Sequence, residues 1–405
     1  MRVLLLTNEY PPNVYGGAGV HIQHLSRELS RLCEVEVLCF GDQLEERSPL
    51  VVEGIPLAHP VHPREKSHGA ALNALQRNLH MAARTRQPQI VHCHTWYTHF
   101  GGILVRETQN VPLVLTTHSL EPSRPWKAEQ LGAGGYNLSC WIERTAYQNA
   151  DGIVAVSQEM SKDVQTAYGV DPSKVRVVHN GVNPDEFRSE ADPSVLSRLG
   201  IDGSRPYALF VGRITRQKGI RHFLAAAERL DPSAQVVLCA AAPDTPEMAR
   251  EVEEWVERLR RIRGNVVWIR EAVSAHDIPS VYAGAAVFCC PSIYEPFGIT
   301  NLEAMASRTP VVATRTGGIP EIVVHGETGY LADIEPVSAT DPEAREPDVF
   351  AQRLADAMNR ILTNPDLAAR MGEASRRRVE ELFSWRAIAA QTLSFYQDTI
   401  AGFRH

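Results

Sequence analysis

Short apolar runs alternate with helix-like segments along this 405-residue chain, and this alternation restricts its fold more than any other feature. In the first half the apolar runs cover residues 3–7, 35–40, 90–94, 113–118, 153–157 and 175–179. Between the first two runs, apolar residues recur at helical spacing, ending at Leu32, and predict an amphipathic helix. Strands that alternate with helices indicate an α/β fold with a mostly parallel sheet.

The pattern starts again after a polar, proline-containing stretch at 183–205. A chain of this length is too long for one ordinary hydrophobic core. The sequence therefore predicts two doubly wound domains, at 1–190 and 205–383, and a last helical segment at 384–405. The second series of apolar runs covers residues 207–211, 236–240, 266–269, 287–290 and 311–313.

Composition and charge argue against several classes of function. The net charge of −7 is opposite to that of a broad nucleic-acid-binding surface. The seven cysteines form no Cys-x-x-Cys pair, and most lie inside apolar runs, as reduced core thiols do. The first apolar run is too short for a signal peptide, and no stretch reaches the length of a membrane span. We therefore expect a cytoplasmic protein that binds neither nucleic acid nor a membrane.

The loop at 292–303 is the strongest candidate for a binding site. It follows an apolar run and precedes a helix-like segment, and ligands of open parallel sheets bind at such loops. Glu295 and Glu303 bracket the loop, and Gly298 allows the backbone to approach a ligand closely. A plainer interpretation is also open, in which Thr300 and Glu303 form a capping box at the helix start.

A second group of polar residues follows the run 207–211. Arg213 and Lys218 lie where a strand ends and a helix begins, although cations are disfavoured at a helix N-terminus. A bound anion would account for them, because Arg can bind two phosphate oxygens and Lys adds a mobile positive charge. We predict that both residues bind a diphosphate. The alternative is a solvated basic turn, with Arg216 as its typical member.

These motifs carry a resemblance to a known family. Glu295 and Glu303, with seven residues between them, resemble the donor-site motif of retaining glycosyltransferases with the two-domain GT-B architecture. Residues 8–19 and 117–127 resemble more narrowly the bacterial glycogen synthase-like enzymes of glycosyltransferase family 4, including α-maltose-1-phosphate synthases. The resemblance covers essentially the whole chain. It implies two Rossmann-like domains that face each other across a cleft, with the last helix returning to the first domain.

The resemblance implies a nucleotide-glucose donor, ADP-glucose or UDP-glucose, bound in the second domain. Glu303 would then bind the ribose, and Glu295 would lie close to the transferred glucose as a catalytic residue. Arg213 and Lys218 would stabilise the departing diphosphate. Gly17, in the glycine-rich run 16–19, would approach the distal phosphate, although a plain tight turn is the alternative there. Backbone groups of four further residues would contact the sugar and phosphate: Phe297, Gly298, Ile299 and Thr300.

On the acceptor side, the resemblance points to Glu9, Tyr10 and His94. It places His118 beside the transferred sugar, as a catalytic residue. His92 and His94 lie on one face of a strand and offer two metal ligands, but the sequence supplies no obvious third ligand and no Asp-x-Asp motif. We therefore expect that neither a metal nor any other cofactor is required.

Arg124 and Lys127 are further candidates for binding the acceptor. They lie three residues apart on a proline-flanked loop. A neutral glucan end does not need two cations, whereas a phosphorylated acceptor such as glucose 1-phosphate would use both. The alternative is a surface ion network with Glu121 or Glu129.

The sequence thus predicts a retaining, metal-independent glucosyltransferase that forms an α-1,4 bond to a glucan end or to glucose 1-phosphate. A second carboxylate placed as a nucleophile is not evident, so front-side attack is favoured over a covalent intermediate. A transferase for another acceptor, a sugar-nucleotide epimerase and a non-catalytic sensor are the alternatives. The oligomeric state stays open, with a homodimer as one option.

Overall fold

The computed structural model describes residues 1–14, 16–187, 190–338 and 341–403. The chain forms two compact units, one made of Met1–Asn180 with Trp385–His405 and the other of Gly181–Ser384. Each unit has its own mainly parallel sheet with helices between the strands. The predicted α/β class with two doubly wound, Rossmann-like domains is confirmed.

The first unit contains an eight-stranded sheet within its described residues. Its elements up to Asn180 are β1 (Arg2–Thr7), α1 (Gly17–Leu29), β2 (Glu34–Phe40), β3 (Leu44–Arg47), β4 (Leu50–Ile55), α2 (Gly69–Arg84), β5 (Ile90–His94), α3 (Trp96–Gln109), β6 (Leu113–Thr117), α4 (Ala128–Asn149), β7 (Gly152–Ala155), α5 (Gln158–Tyr168) and β8 (Val175–Val177). The strand order is β3-β4-β2-β1-β5-β6-β7-β8. β1 pairs in parallel with both β2 and β5, so the order changes direction there, which is where ligands of such sheets bind.

The second unit contains a six-stranded parallel sheet within its described residues. Its elements are α6 (Pro193–Arg198), β9 (Tyr207–Arg213), α7 (Ile220–Ala227), β10 (Gln235–Ala241), α8 (Pro246–Arg263), β11 (Val266–Ile269), α9 (Ile278–Ala283), β12 (Val287–Cys290), α10 (Ile299–Ala306), β13 (Val311–Thr314), α11 (Ile319–Ile322), β14 (Gly329–Ala332), β15 (Pro336–Ser338), β16 (Asp341–Ala344), α12 (Pro347–Leu362) and α13 (Pro365–Leu382). The order is β11-β10-β9-β12-β13-β14, and β15 and β16 form a separate hairpin.

The last helix, α14 (Trp385–Gly402), belongs to the first unit, as predicted. It packs against α1, and Trp385, Ile388 and Phe395 are part of the core of that unit. The Tyr396 hydroxyl lies 2.5 Å from Nδ1 of His92 on β5. The helix therefore completes the core of a sheet whose strands all precede Asn180.

Central strands are buried on both faces, which explains why they read as continuous apolar runs. One detail of the predicted first helix is wrong, because α1 ends at Leu29 and Leu32 beyond it is 50% exposed. None of the described helices is both long enough and apolar enough to cross a membrane.

Candidate active site

Glu295 lies in the loop between β12 and α10. Its backbone is held by contacts with two glycines, Gly317 and Gly318, that follow β13. The Gly318 N–H donates to the carbonyl oxygen of Glu295 at 3.0 Å. Gly317 has a φ of +52°, and a Cβ there would come within 1.9 Å of that same oxygen. Only glycine fits this contact, so Gly317 and Gly318 together set the position of the Glu295 backbone.

The Glu295 carboxylate pairs with Lys218. Its Oε2 lies 2.6 Å from the Lys218 ammonium and accepts a 3.0 Å hydrogen bond from the Ser292 hydroxyl. Burial opposes the charge on Lys218, but the adjacent carboxylate outweighs it and raises the pKa of the ammonium. The structure therefore brings together two predicted site residues from different loops and keeps Lys218 charged.

Arg213 ends β9, and its guanidinium contacts Asp244 in the loop after β10. The distance from Nη2 to Oδ1 is 2.6 Å, and the aspartate side chain is only 11% exposed. β9 and β10 pair in parallel up to Arg213 and Ala241, so both loops leave the sheet at the same edge. The sequence analysis missed Asp244, although its position just after a neighbouring strand was a usable signal.

Glu303 does not cap the helix that carries it. The N-cap of α10 is Gly298, with a φ of +107° and no side-chain capping bond, so Thr300 is already the second residue of the helix. The capping-box interpretation is therefore wrong. The Tyr282 hydroxyl instead donates a 2.9 Å hydrogen bond to Oε2 of Glu303. Burial raises the pKa of Glu303, while this hydrogen bond acts in the opposite direction.

The side chains around the start of α10 differ in their exposure. The Phe297 side chain is buried in its own unit, 6.1 Å from the ring of Phe383 between centroids. Ile299 and Thr300 form the first turn of the helix and are partly exposed. This agrees with the predicted backbone role of these positions, which stays a prediction.

In the first unit, Gly17 is the first residue of α1, as the glycine-rich loop suggests. The neighbouring Gly16 N–H donates to Oε2 of Glu9 at 2.8 Å. A Cβ on Gly19 would come within 2.7 Å of the same carboxylate oxygen. The buried Glu9 carboxylate thus lies against the helix start, and the glycines leave room for it.

Tyr10 has a different position from the one that the sequence analysis expects. It is 4% exposed, belongs to the hydrophobic core of its unit, and its hydroxyl lies 3.0 Å from Oγ of Ser26. Burial raises the pKa of the phenol. Contact of this side chain with an acceptor is contradicted by its burial, which serves packing.

His94, at the end of β5, and His118, just after β6, lie side by side. The distance between Nδ1 of His94 and Nε2 of His118 is 2.9 Å. His92, which the sequence places on the same face as His94, has both ring nitrogens in hydrogen bonds, with Tyr396 and Thr116. His92 is therefore part of the sheet interior, where it is fully buried.

His21, on α1, completes this group and was missed by the sequence analysis. Its ring centroid lies 4.8 Å from that of His118 and 5.3 Å from that of His94. Burial lowers the pKa of His21 to about 4 and those of His94 and His118 well below their usual values. All three imidazoles are therefore neutral at physiological pH.

The loop with Arg124 and Lys127 consists of two 3-10 turns, Glu121–Ser123 and Pro125–Lys127. Arg124 forms an ion pair with Glu121, which is fully buried and also accepts a 2.9 Å hydrogen bond from Ser139. The ion network that the sequence leaves open as an alternative thus exists for Arg124. Lys127 ends the second turn and is half-buried.

A second carboxylate lies beneath this loop. Glu143 on α4 accepts a 2.8 Å hydrogen bond from the Glu121 N–H and another from the Tyr168 hydroxyl. Burial, with the nearby Glu121 charge as a second cause, raises the pKa of Glu143 to about 8. This residue, which the sequence analysis missed, is therefore mostly protonated at neutral pH.

Both units match known protein families. The model described as Glycosyltransferase Family 4 matches residues 15–186, and the model described as Glycosyl transferases group 1 matches residues 194–378. The chain is 48% identical to the alpha-maltose-1-phosphate synthase of Mycolicibacterium smegmatis, over 99% of this chain and 100% of that protein. It is 45% identical to the alpha-maltose-1-phosphate synthase of Mycobacterium tuberculosis H37Rv, with the same coverage.

A solved structure supports the fold independently. Sucrose-phosphate synthase from Thermosynechococcus elongatus superposes with a TM-score of 0.78 at 24% sequence identity, covering 99% of this chain and 100% of that chain. At this level of identity the likeness concerns the fold alone, and it confirms the predicted GT-B class.

Proposed function

This chain belongs to the glycosyltransferases of family 4 and group 1 and is a hexosyltransferase, and from that premise we propose that it moves glucose from ADP-glucose to glucose 1-phosphate. The product would be maltose 1-phosphate, with an α-1,4 bond and retained anomeric configuration. Full-length identity of 48% to a protein of that name is the observation that carries the proposal.

The second unit would bind the donor nucleotide. Glu303, held by Tyr282, would accept hydrogen bonds from the ribose hydroxyls. Arg213 and Lys218 would meet the diphosphate, whose negative charge grows as the bond to glucose breaks. Their present partners, Asp244 and Glu295, are single carboxylates, and an incoming diphosphate would share the two cations with them.

Retention without a covalent intermediate agrees with the environment of Glu295. Its Oε2 already contacts the Lys218 ammonium and the Ser292 hydroxyl, and these contacts reduce its nucleophilicity. We infer that Glu295 orients Lys218 and the glucose hydroxyls. The departing diphosphate would assist attack by the acceptor from the same face.

In the first unit, His118 would lie beside the transferred glucose and His94 on the acceptor side. Their rings are neutral, so they can exchange hydrogen bonds with sugar hydroxyls without adding charge near a positive anomeric carbon. The reaction as proposed uses no metal. Lys127 would contact the acceptor phosphate from the end of the second 3-10 turn of its loop.

Elongation of a neutral glucan is the second candidate function. The pairing of Arg124 with the buried Glu121 favours it, because this pairing leaves less positive charge for a phosphate. Both functions would use the same donor site, and only the acceptor differs.

Mass analysis of the products tests the proposal. ADP-glucose and UDP-glucose are each supplied with glucose 1-phosphate, with maltooligosaccharide, or without acceptor. The proposal expects maltose 1-phosphate as the main product from ADP-glucose, and the proton coupling constant of the new bond should be that of an α-linkage. Elongated oligosaccharide as the main product would favour the second candidate. A new sugar formed from donor alone would indicate an epimerase instead.

A further inference from the structure

Three imidazoles from separate elements of the first unit converge on one point. His21 comes from α1, His94 from the end of β5 and His118 from the residue after β6. One ring nitrogen from each lies within 4.8 Å of the other two. Nitrogen ligands of tetrahedral zinc lie about 3.3 Å apart when the Zn–N distance is about 2.0–2.1 Å. Small rotations of the three rings would therefore bring the nitrogens to coordinating distance.

His21 is oriented as a metal ligand usually is. Its Nδ1 lies 2.6 Å from the carboxamide oxygen of Asn180, and because that oxygen only accepts, Nδ1 carries the proton. Nε2 is thus left with its lone pair. This orientation of a histidine by a hydrogen bond to its second nitrogen is typical of metal sites.

Two ring nitrogens of the group lack partners. Nε2 of His21 and Nε2 of His94 are buried and have no hydrogen-bond partner among the described residues. Leaving a buried polar atom unpaired is unfavourable, because the atom has lost its hydrogen bonds to water and gained none in the protein. His21 is 2% exposed and His94 fully buried, so an ion that accepted these lone pairs would remove this cost without competition from bulk water.

The ligand set determines the class of ion. Three neutral imidazoles with no carboxylate suit Zn²⁺, Cu²⁺, Ni²⁺ and Co²⁺, whereas Mg²⁺ and Ca²⁺ prefer oxygen ligands. We propose that His21, His94 and His118 form a binding site for a divalent transition-metal ion, Zn²⁺ first, with the fourth position open to water. The hydrogen bond between His94 and His118 must break on binding, and each ring keeps its proton on the nitrogen that does not coordinate.

A bound ion would inhibit the enzyme. This consequence rests on the proposed function, in which His94 and His118 contact acceptor and sugar. Zn²⁺ should then act in competition with the acceptor, and chelation should restore activity. The site would thus be an inhibitory metal site in a reaction that itself uses no metal.

Calorimetric titration tests binding without reference to activity. Protein without a histidine tag is treated with chelator, dialysed and titrated with Zn²⁺ and separately with Mg²⁺. We expect one Zn²⁺ per chain and no saturable Mg²⁺ binding. When Co²⁺ replaces Zn²⁺, we expect the intense visible absorption bands that are typical of a Co²⁺ ion with a low coordination number. Absence of saturable Zn²⁺ binding would overturn the proposal.

Variants locate the ion. His21→Gln should weaken Zn²⁺ binding at least about tenfold, and Asn180→Ala, which keeps all three imidazoles, should weaken it about 10- to 100-fold as removal of outer-shell partners does. His276→Ala is the matched control, because His276 is an exposed histidine of the other unit and its loss should leave affinity unchanged. Circular dichroism checks that each variant is folded. Unchanged affinity in both His21→Gln and Asn180→Ala would overturn the site.

The failure of this proposal and that of the proposed function are distinguishable. Transferase activity without Zn²⁺ binding would contradict only the proposed metal site. Stoichiometric Zn²⁺ binding by a protein that forms no maltose 1-phosphate removes only the proposed function.

Discussion

The Tyr282 hydroxyl donates a 2.9 Å hydrogen bond to Oε2 of Glu303, and the two side chains come from α9 and α10. Glu303 is thereby fixed by a neighbouring helix and not by the start of its own. Its carboxylate can thus serve a ligand without a cost to the helix that carries it.

The first prediction separates donor binding from helix stability at Glu303. Glu303→Gln keeps an oxygen for the Tyr282 hydroxyl but removes the charge that binds two ribose hydroxyls. We expect the KM for ADP-glucose to rise about tenfold, which corresponds to about 1.4 kcal/mol. Tm should change little. Thr300→Ala is the stability control, because Thr300 caps nothing. A fall in Tm with an unchanged donor KM would contradict the ribose role.

The second prediction concerns the departing diphosphate. Arg213→Ala and Lys218→Ala should each lower kcat at least about a hundredfold, the usual loss when one transition-state charge donor is removed, roughly 2.7–4 kcal/mol. The measurement is steady-state kinetics on folded protein. Arg216→Ala, an exposed position in the same loop, is the matched control and should stay within a few-fold of wild type. Equal losses of kcat in all three variants would show that the loop has only a structural role.

The third prediction assigns Asp244 a positioning role. Asp244→Asn keeps the hydrogen bond to Arg213 but weakens the charge pairing, so kcat should fall about tenfold. The free energy of unfolding should change by only about 0–1 kcal/mol, since the Arg213 side chain is 42% exposed and solvent screens the pair. In the Arg213→Ala background the same change should have no further effect on kcat. Additive losses in the double variant would show that Asp244 does not act through Arg213.

The fourth prediction concerns the acceptor and favours Lys127 as the test residue. Lys127→Ala should raise the KM for glucose 1-phosphate about tenfold or more and spare any activity on neutral maltooligosaccharide. Arg124→Ala is less informative, because it leaves the buried Glu121 without its cation and should lower stability by about 3–5 kcal/mol. Equal losses on both acceptors in Lys127→Ala would reduce that residue to loop structure.

The fifth prediction is the pH dependence caused by Glu143. Its pKa is about 8 in the folded protein and near 4.5 in the unfolded chain, so between these values only the folded state holds the proton. Stability should therefore fall as pH rises through this window, by at most about 1.4 kcal/mol per pH unit for one proton. Glu143→Gln should lose this dependence. Parallel curves of Tm against pH for the wild type and Glu143→Gln would contradict a raised pKa of Glu143.

The sequence predicted most of the central strands and the two-unit organisation because buried parallel strands are continuous apolar runs. It missed β3, whose four residues are all exposed, and the hairpin β15–β16, because such short exposed strands carry no apolar pattern. It also missed β4, which lies between β3 and β2, and β14 at the edge of the second sheet. The proximity of Lys218 and Glu295 was predictable, since both follow strands that pair in parallel, β9 and β12.

Contacts between distant side chains were not predictable in the same way. His21 meets His94 and His118 only because three elements converge in the folded sheet, and no spacing in the sequence records this. Tyr282 lies inside a short helix, and its hydroxyl gives no sign of a carboxylate partner 21 residues further on. The capping box failed because the N-cap is Gly298 and the helix begins at Ile299, before Thr300.

The return of α14 to the first unit has a consequence for biosynthesis. The ribosome finishes the described strands of that sheet before the chain of the second unit begins, yet the helix that covers Val154 and the Gly152 backbone is made only after the second unit. At usual synthesis rates the nascent first unit therefore exposes apolar surface for roughly 10–40 s. Exposed apolar surface of this kind promotes aggregation and binds chaperones. A messenger RNA truncated before the codon for Trp385 would yield a protein in which this apolar surface of the first unit stays exposed.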